Sequence, residues 1–116
     1  MQSIGSSVFN EQRRSARKIL KVKALVALED GQTEVARTID IGGDGLCLAV
    51  AHRIAPGALA TVQFELFHAG QVTLISVKAR AQYAILSNDE YKVGFQFVNL
   101  ELSSMACISR FLQAIN

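Results

Sequence analysis

The chain has 116 residues, enough for one hydrophobic core and too few for two ordinary domains. Half of the residues are hydrophobic and 19% are charged, which excludes disordered, collagen-like and low-complexity chains. The net charge of +2 conceals an asymmetry: residues 1–23 carry a local charge of +5 and the rest of the chain −3, a pattern that suits a localised anionic partner.

The opening stretch, MQSIGSSVFN, has neither a basic n-region nor an apolar core, so no cleaved signal peptide is expected. No apolar run approaches the roughly 18 residues that span a bilayer. From Lys18 to Glu29 the apolar residues Leu20, Val22, Ala24, Val26 and Leu28 alternate onto one face, the period of a half-buried strand. Asp30-Gly31 is a hairpin signal, and a return strand follows from Gln32 to Ile39. The segment Ile41-Gly42-Gly43-Asp44-Gly45 breaks that strand, its glycines suiting positive φ or close backbone approach. Leu46 to Val50 forms a short strand, and Ala55-Pro56-Gly57 a turn.

Thr61 to Phe67 alternates again, with Val62, Phe64 and Leu66 inward. After the turn at Ala69-Gly70-Gln71, a long strand runs from Val72 to Leu86. Its apolar phase moves from Val72 and Leu74 to Ile75, Val77, Ala79, Ala81, Tyr83 and Ile85, which predicts a β-bulge near Leu74–Ser76. Tyr91, Val93, Phe95 and Phe97 line the inner face of the last strand. Beyond it Met105, Ile108, Phe111, Leu112 and Ile115 recur at three- and four-residue spacing, predicting one amphipathic helix that starts at a Ser103 or Ser104 cap. Six closely spaced strands joined by hairpin turns point to an antiparallel barrel or sandwich, with the helix packed across an open end.

Chemistry is sparse. Cys47 and Cys107 sit among apolar neighbours and read as small core residues. His52 and His68 have no partners at metal-ligand spacing, and no nucleophile elbow or phosphate loop is present. No catalytic or metal-binding residue is therefore assigned, and an enzyme is not expected. Two features remain. Arg13 and Arg17 lie four residues apart just ahead of the first strand, with Arg14 between them; Asp40 enters the glycine-rich loop that ends at Gly45. Guanidinium forks match phosphate oxygens and the O6/N7 edge of guanine. A carboxylate accepts from guanine's opposite edge, and glycine amides approach phosphates unobstructed. These are the parts of a guanine-nucleotide site.

With those residues in place the chain resembles the PilZ domain, a bacterial receptor module for cyclic di-GMP. The family signatures are RxxxR ahead of the first strand and [DN]xSxxG in the loop after the second. Arg13 and Arg17 match the first, and Asp40 and Gly45 match the second. Tyr91-Lys92-Val93-Gly94-Phe95-Gln96-Phe97 is similar to the family's last-strand pattern, and the resemblance covers roughly residues 11–113. One position departs: the motif serine is Gly42 here.

The resemblance implies an all-β fold, a six-stranded antiparallel β-barrel with one C-terminal α-helix. Residues 1–12 are then a flexible arm and 13–116 a single domain. It implies a cytoplasmic cyclic di-GMP receptor of the kind tied to motility and biofilm signalling, with no cofactor and no membrane insertion. Arg13, Arg14 and Arg17 would grip guanine and phosphates, Asp40 would accept from a guanine edge, and Gly42, Gly43 and Gly45 would line the ligand. Arg37, if it faces outward, would add a phosphate contact. The basic arm would wrap over the nucleotide, and an unidentified effector protein would carry the signal onward. The competing reading is a ligand-independent adaptor of the same fold, working in type IV pilus or motility machinery. A nucleic-acid-binding barrel is disfavoured, because the aromatics Phe64, Tyr83, Tyr91, Phe95 and Phe97 follow the inward phase rather than forming an exposed stacking surface.

Overall fold

The computed structural model describes residues 16–114. Seven strands, β1 (Arg17–Ile19), β2 (Lys23–Leu28), β3 (Thr33–Gly42), β4 (Gly45–Val50), β5 (Leu59–His68), β6 (Gln71–Ser87) and β7 (Glu90–Val98), precede the helix α1 (Leu102–Gln113). Every pairing is antiparallel, in the order β1-β3-β2-β5-β6-β7-β4, and a further β3–β4 pairing joins the ends into a ring. The expected all-β architecture with a C-terminal helix is therefore present, with seven strands in place of six.

The extra strand comes from a break in the first one. β1 pairs with Asp40–Gly42, whereas β2 pairs with Thr33 to Arg37 of the same strand. Between them the fully buried Thr38 closes the gap. Its hydroxyl donates to the Leu20 carbonyl at 2.5 Å and accepts from the Val22 amide at 2.8 Å. Two backbone groups that the interrupted ladder would orphan are thus satisfied by one side chain. β3 also runs three residues beyond the predicted Ile39, because β1 supplies partners for its last turn of ladder.

Period-two alternation fills the ring. Ala24 and Val26 of β2, Val62, Phe64 and Leu66 of β5, Ile75, Val77, Ala79 and Ala81 of β6, and Val93 and Phe95 of β7 all point inward. Each large side chain fully buried there contributes roughly 1.5–3 kcal/mol of transfer free energy. The helix packs against β5 and β6, burying Cys107 and Ile108, with Phe111 and Leu112 against the same core. Its first residue follows Glu101, and no side chain caps it; Ser104, one of the two serines predicted as a cap, is instead buried. The other end is held from the sheet. Lys18 Nζ donates to the carbonyls of Phe111 and Ala114 at 3.0 and 3.2 Å and lies 4.6 Å from the Phe111 ring centre, a cation placed where the helix dipole favours one. Ile115 lies outside the described residues. No helix among those described is long and apolar enough to cross a membrane.

The bulge predicted near Leu74–Ser76 is elsewhere. β5 and β6 keep an unbroken register from His68↔Gln71 to Leu59↔Arg80. Val72 and Leu74 are apolar residues on the outer face, 59% and 64% exposed, and they imitate a change of phase that the backbone does not make. The real irregularity lies between Ala81 and Tyr83, where β6 slips against β7. A second lies between Thr38 and Asp40, where β3 slips against β4. The slip in β6 turns Tyr83 and Ile85 out of the ring, against the expectation that both point inward.

Candidate functional site

β3 ends at Gly42 and β4 begins at Gly45, so Gly43 and Asp44 alone connect them. None of the three glycines has positive φ; those in that region are Gly31, Gly57 and Gly70. Close approach is the reason instead. A Cβ on Gly45 would clash with the backbone carbonyl of Phe95 on the neighbouring β7. A Cβ on Gly42 would meet the Ala16 carbonyl at 3.1 Å and Arg17 Nη1 at 3.2 Å. The Asp44 carbonyl accepts from the Phe97 amide at 2.9 Å, which ties the connection to β7.

Pairing with Gly42 places Arg17 beside this connection. Its Nε donates to Asp40 Oδ1 at 2.8 Å, its Nη2 donates to the Gly45 carbonyl at 3.4 Å, and its Nη1 lies 3.8 Å from Asp44 Oδ1. About one third of the Arg17 and Asp40 side chains stays exposed (35% and 32%), so the pair is accessible from solvent. Ion pairs of this kind contribute only about 0–1 kcal/mol to stability.

Next to Arg17 lies an open pocket of about 340 Å³. Arg17, Asp44 and Gly45 form one side, and Gln82, Tyr83, Gly94 and Gln96 the other. Tyr83 occupies the space that a side chain at 94 would need, and its hydroxyl lies 3.9 Å from Cys47 Sγ. Burial pushes the Cys47 thiol up from its ordinary range. Burial and the neighbouring Cys47 do the same for Tyr83. Both stay protonated at neutral pH, and the charged side chains lining the pocket are those of Arg17 and Asp44, with Asp40 behind them on the Arg17 Nε.

The sequence-derived residues fall into three groups. Arg17, Asp40, Gly42 and Gly45 come together. Gly43 faces the other way, toward a cleft it shares with Leu100, Met105, Ile108 and Leu112 beside α1. Arg37 does point outward, but its guanidinium donates to Glu90 Oε1 at 2.8 Å and does not line the pocket. Arg13, Arg14 and the 1–12 arm lie outside the described residues. The sequence reading did not assign Gln82, Tyr83, Gly94 or Gln96 to the site. Gly94 and Gln96 stood in the last-strand pattern and were legible there as a motif; Tyr83 was hidden by the bulge. Among the described residues, no three His, Cys, Asp or Glu side chains gather as a metal site.

A closed antiparallel ring with a charged pocket on its rim and a helix packed against it defines a class of small β-ring domains. The chain belongs to the PilZ domain family, whose sequence model matches residues 11–114. Comparison with curated protein sequences yields no match. Solved structures do match. The Bacillus subtilis inhibitor of motility MotI/DgrA superposes with a TM-score of 0.75 at 10% identity, over 84% of this chain and 47% of that one. The chain thus spans about half the length of MotI/DgrA. The PilZ domain of Escherichia coli YcgR, solved with c-di-GMP, gives a TM-score of 0.61 at 13% identity, over 79% of each chain. The PilZ domain of CeSA from a cellulose-synthesizing bacterium gives 0.58 at 18% identity, over 84% of this chain and 95% of that one. These likenesses extend to the fold.

Proposed function

We propose that this chain is a cyclic di-GMP receptor that passes ligand occupancy to a partner protein. The observation that carries the reading is the Arg17–Asp40 pair, joined at 2.8 Å and open to solvent, whose arginine lines the rim pocket. One residue offers a fork for phosphate or a guanine Hoogsteen edge, and the other accepts from guanine's N1 and N2 donors. The similar YcgR domain, solved with c-di-GMP, supports the same ligand here. On binding, the nucleotide phosphates replace Asp44 as neighbours of Arg17. Arg13 and Arg14 close over the ligand from the N-terminal side, while Gly42 and Gly45 let it approach the backbone. The surface so formed is what a partner reads.

Titration calorimetry with cyclic di-GMP, with GTP as control, tests this. Saturable heat with the dinucleotide alone is expected; no heat overturns it. Amide exchange across residues 13–17 slows on binding if the arm closes. Equal exchange with and without saturating nucleotide removes the closing step. One observation favours the adaptor reading, in which the fold works by protein contacts alone: Arg17 already satisfies itself with Asp40, Asp44 and Gly45, beside a glycine at the position of the family's serine. The calorimetric result separates the two.

A further inference from the structure

The bulge in β6 creates a feature that neither signature motif contains. Across the outer face, one row of paired residues runs from strand to strand. Tyr83 on β6 pairs with Gly94 on β7, Gly94 with Cys47 on β4, and Cys47 with Asp40 on β3. Neighbouring strands are about 4.8 Å apart, so side chains along such a row ordinarily touch only the next one. Gly94 contributes no side chain. The Tyr83 ring therefore reaches over it, with Cε2, Cζ and Oη filling the place of the missing Cβ, and its hydroxyl meets Cys47. The ring ends one strand short of Asp40. It lies outside the core, is 44% exposed and lines the pocket that Arg17 also lines.

A ring in that position is poorly explained by core packing. The ring interior is already filled by Ala81, Val93 and Phe95, and Tyr83 projects away from them. What the row offers is an acceptor carboxylate at one end and an aromatic surface at the other, with only a glycine and a small buried thiol between. A planar base whose donor edge meets Asp40 would extend along this row toward Tyr83. We propose that Tyr83 is the stacking platform for a guanine base held by Asp40, and that Gly94 is glycine so that the ring can lie there. The inference rests on the nucleotide reading given above and adds a base-contacting residue to it.

The test compares Tyr83→Leu, Tyr83→Phe and Arg17→Ala with the unchanged protein by titration calorimetry with cyclic di-GMP. Loss of stacking should weaken binding about tenfold or more in Tyr83→Leu. Tyr83→Phe keeps the ring, loses only a weak hydroxyl–thiol contact, and should bind within about twofold of the unchanged protein. A second readout does not depend on the leucine variant folding. The chain has no tryptophan and two tyrosines, so in Tyr91→Phe protein the intrinsic emission reports Tyr83 alone. Cyclic di-GMP should quench that emission and saturate it at the calorimetric affinity, while Arg17→Ala,Tyr91→Phe protein at equal nucleotide concentration shows no saturable quenching. Tight calorimetric binding with unquenched emission, or a folded Tyr83→Leu protein that binds normally, overturns the platform and leaves the receptor reading standing. Absence of binding to the unchanged protein overturns both.

Discussion

The interior of the ring and its rim at β1 are made from the same strands by opposite rules. Inside, Leu46, Leu48, Val62, Ile75 and Val93 are sealed from water, and removing any of their atoms leaves a void. At the rim, Arg17, Asp40 and Asp44 stay wet, their contacts are ionic, and close backbone approach replaces side-chain packing at Gly45. The contrast teaches that, under the proposed function, folding and binding are separable: stability resides in the interior, and the groups proposed for recognition are ones the fold scarcely depends on.

Four substitutions probe that division. The largest effect belongs to Leu48→Ala in the interior, which should destabilise by about 2–5 kcal/mol in denaturant unfolding. A smaller loss would mean the ring collapses around the void. Arg17→Ala should weaken cyclic di-GMP binding about 10- to 100-fold, since hydrogen bonds between charged groups contribute roughly 1.5–3 kcal/mol, with a melting temperature nearly unchanged. If Arg17→Ala unfolds the protein, the rim carries stability and the division fails.

Thr38→Val sharpens the boundary between the two regions. It keeps the shape but orphans the Leu20 carbonyl and the Val22 amide where β1 meets β2, at about 1–3 kcal/mol of stability. Hydrogen exchange at Val22 should rise in that variant; unchanged exchange would mean the break needs no stitch. The smallest effect is that of Gly42→Ser, which restores the family's residue. Position 42 has ordinary backbone, so serine carries no left-handed strain, and its nearest neighbours include the flexible Arg17 side chain. A hydroxyl aimed at the ligand should tighten binding about two- to tenfold. Weaker binding with intact folding would show that the 3.1 Å approach of the Ala16 carbonyl decides instead.

The interior was the more legible region. Alternation along Thr61–Phe67 and along Tyr91–Phe95 reports burial directly, because a strand in a closed ring has one dry face. The misplaced bulge shows where that signal stops. Val72 and Leu74 are apolar yet exposed, and hydropathy alone cannot tell such residues from buried ones. The rim was legible as motif but not as geometry. Arg17 and Asp40 lie 23 positions apart and meet only because β1 pairs with the end of β3. Arg37 reads like another phosphate ligand, yet its partner is Glu90, supplied by a strand that sequence order does not place beside it. Tyr83 could be reached by no pattern of period two, since the slip that turns it outward is itself a departure from the pattern.

The interruption at Leu20–Val22 matters beyond strand count. β2 is clasped on both edges, by β3 and β5, whereas β1 has strand partners along a single edge, three residue pairs with β3, and is otherwise held by the Lys18 contacts to the end of α1. In the proposed closing step, the piece that bears Arg17 is then a buckle whose movement does not require unzipping the strand that follows it. Fixing one residue's backbone costs about 1–2 kcal/mol of conformational entropy. The closing step proposed above would confine that cost to a handful of residues and leave the pairings of the remaining ring intact.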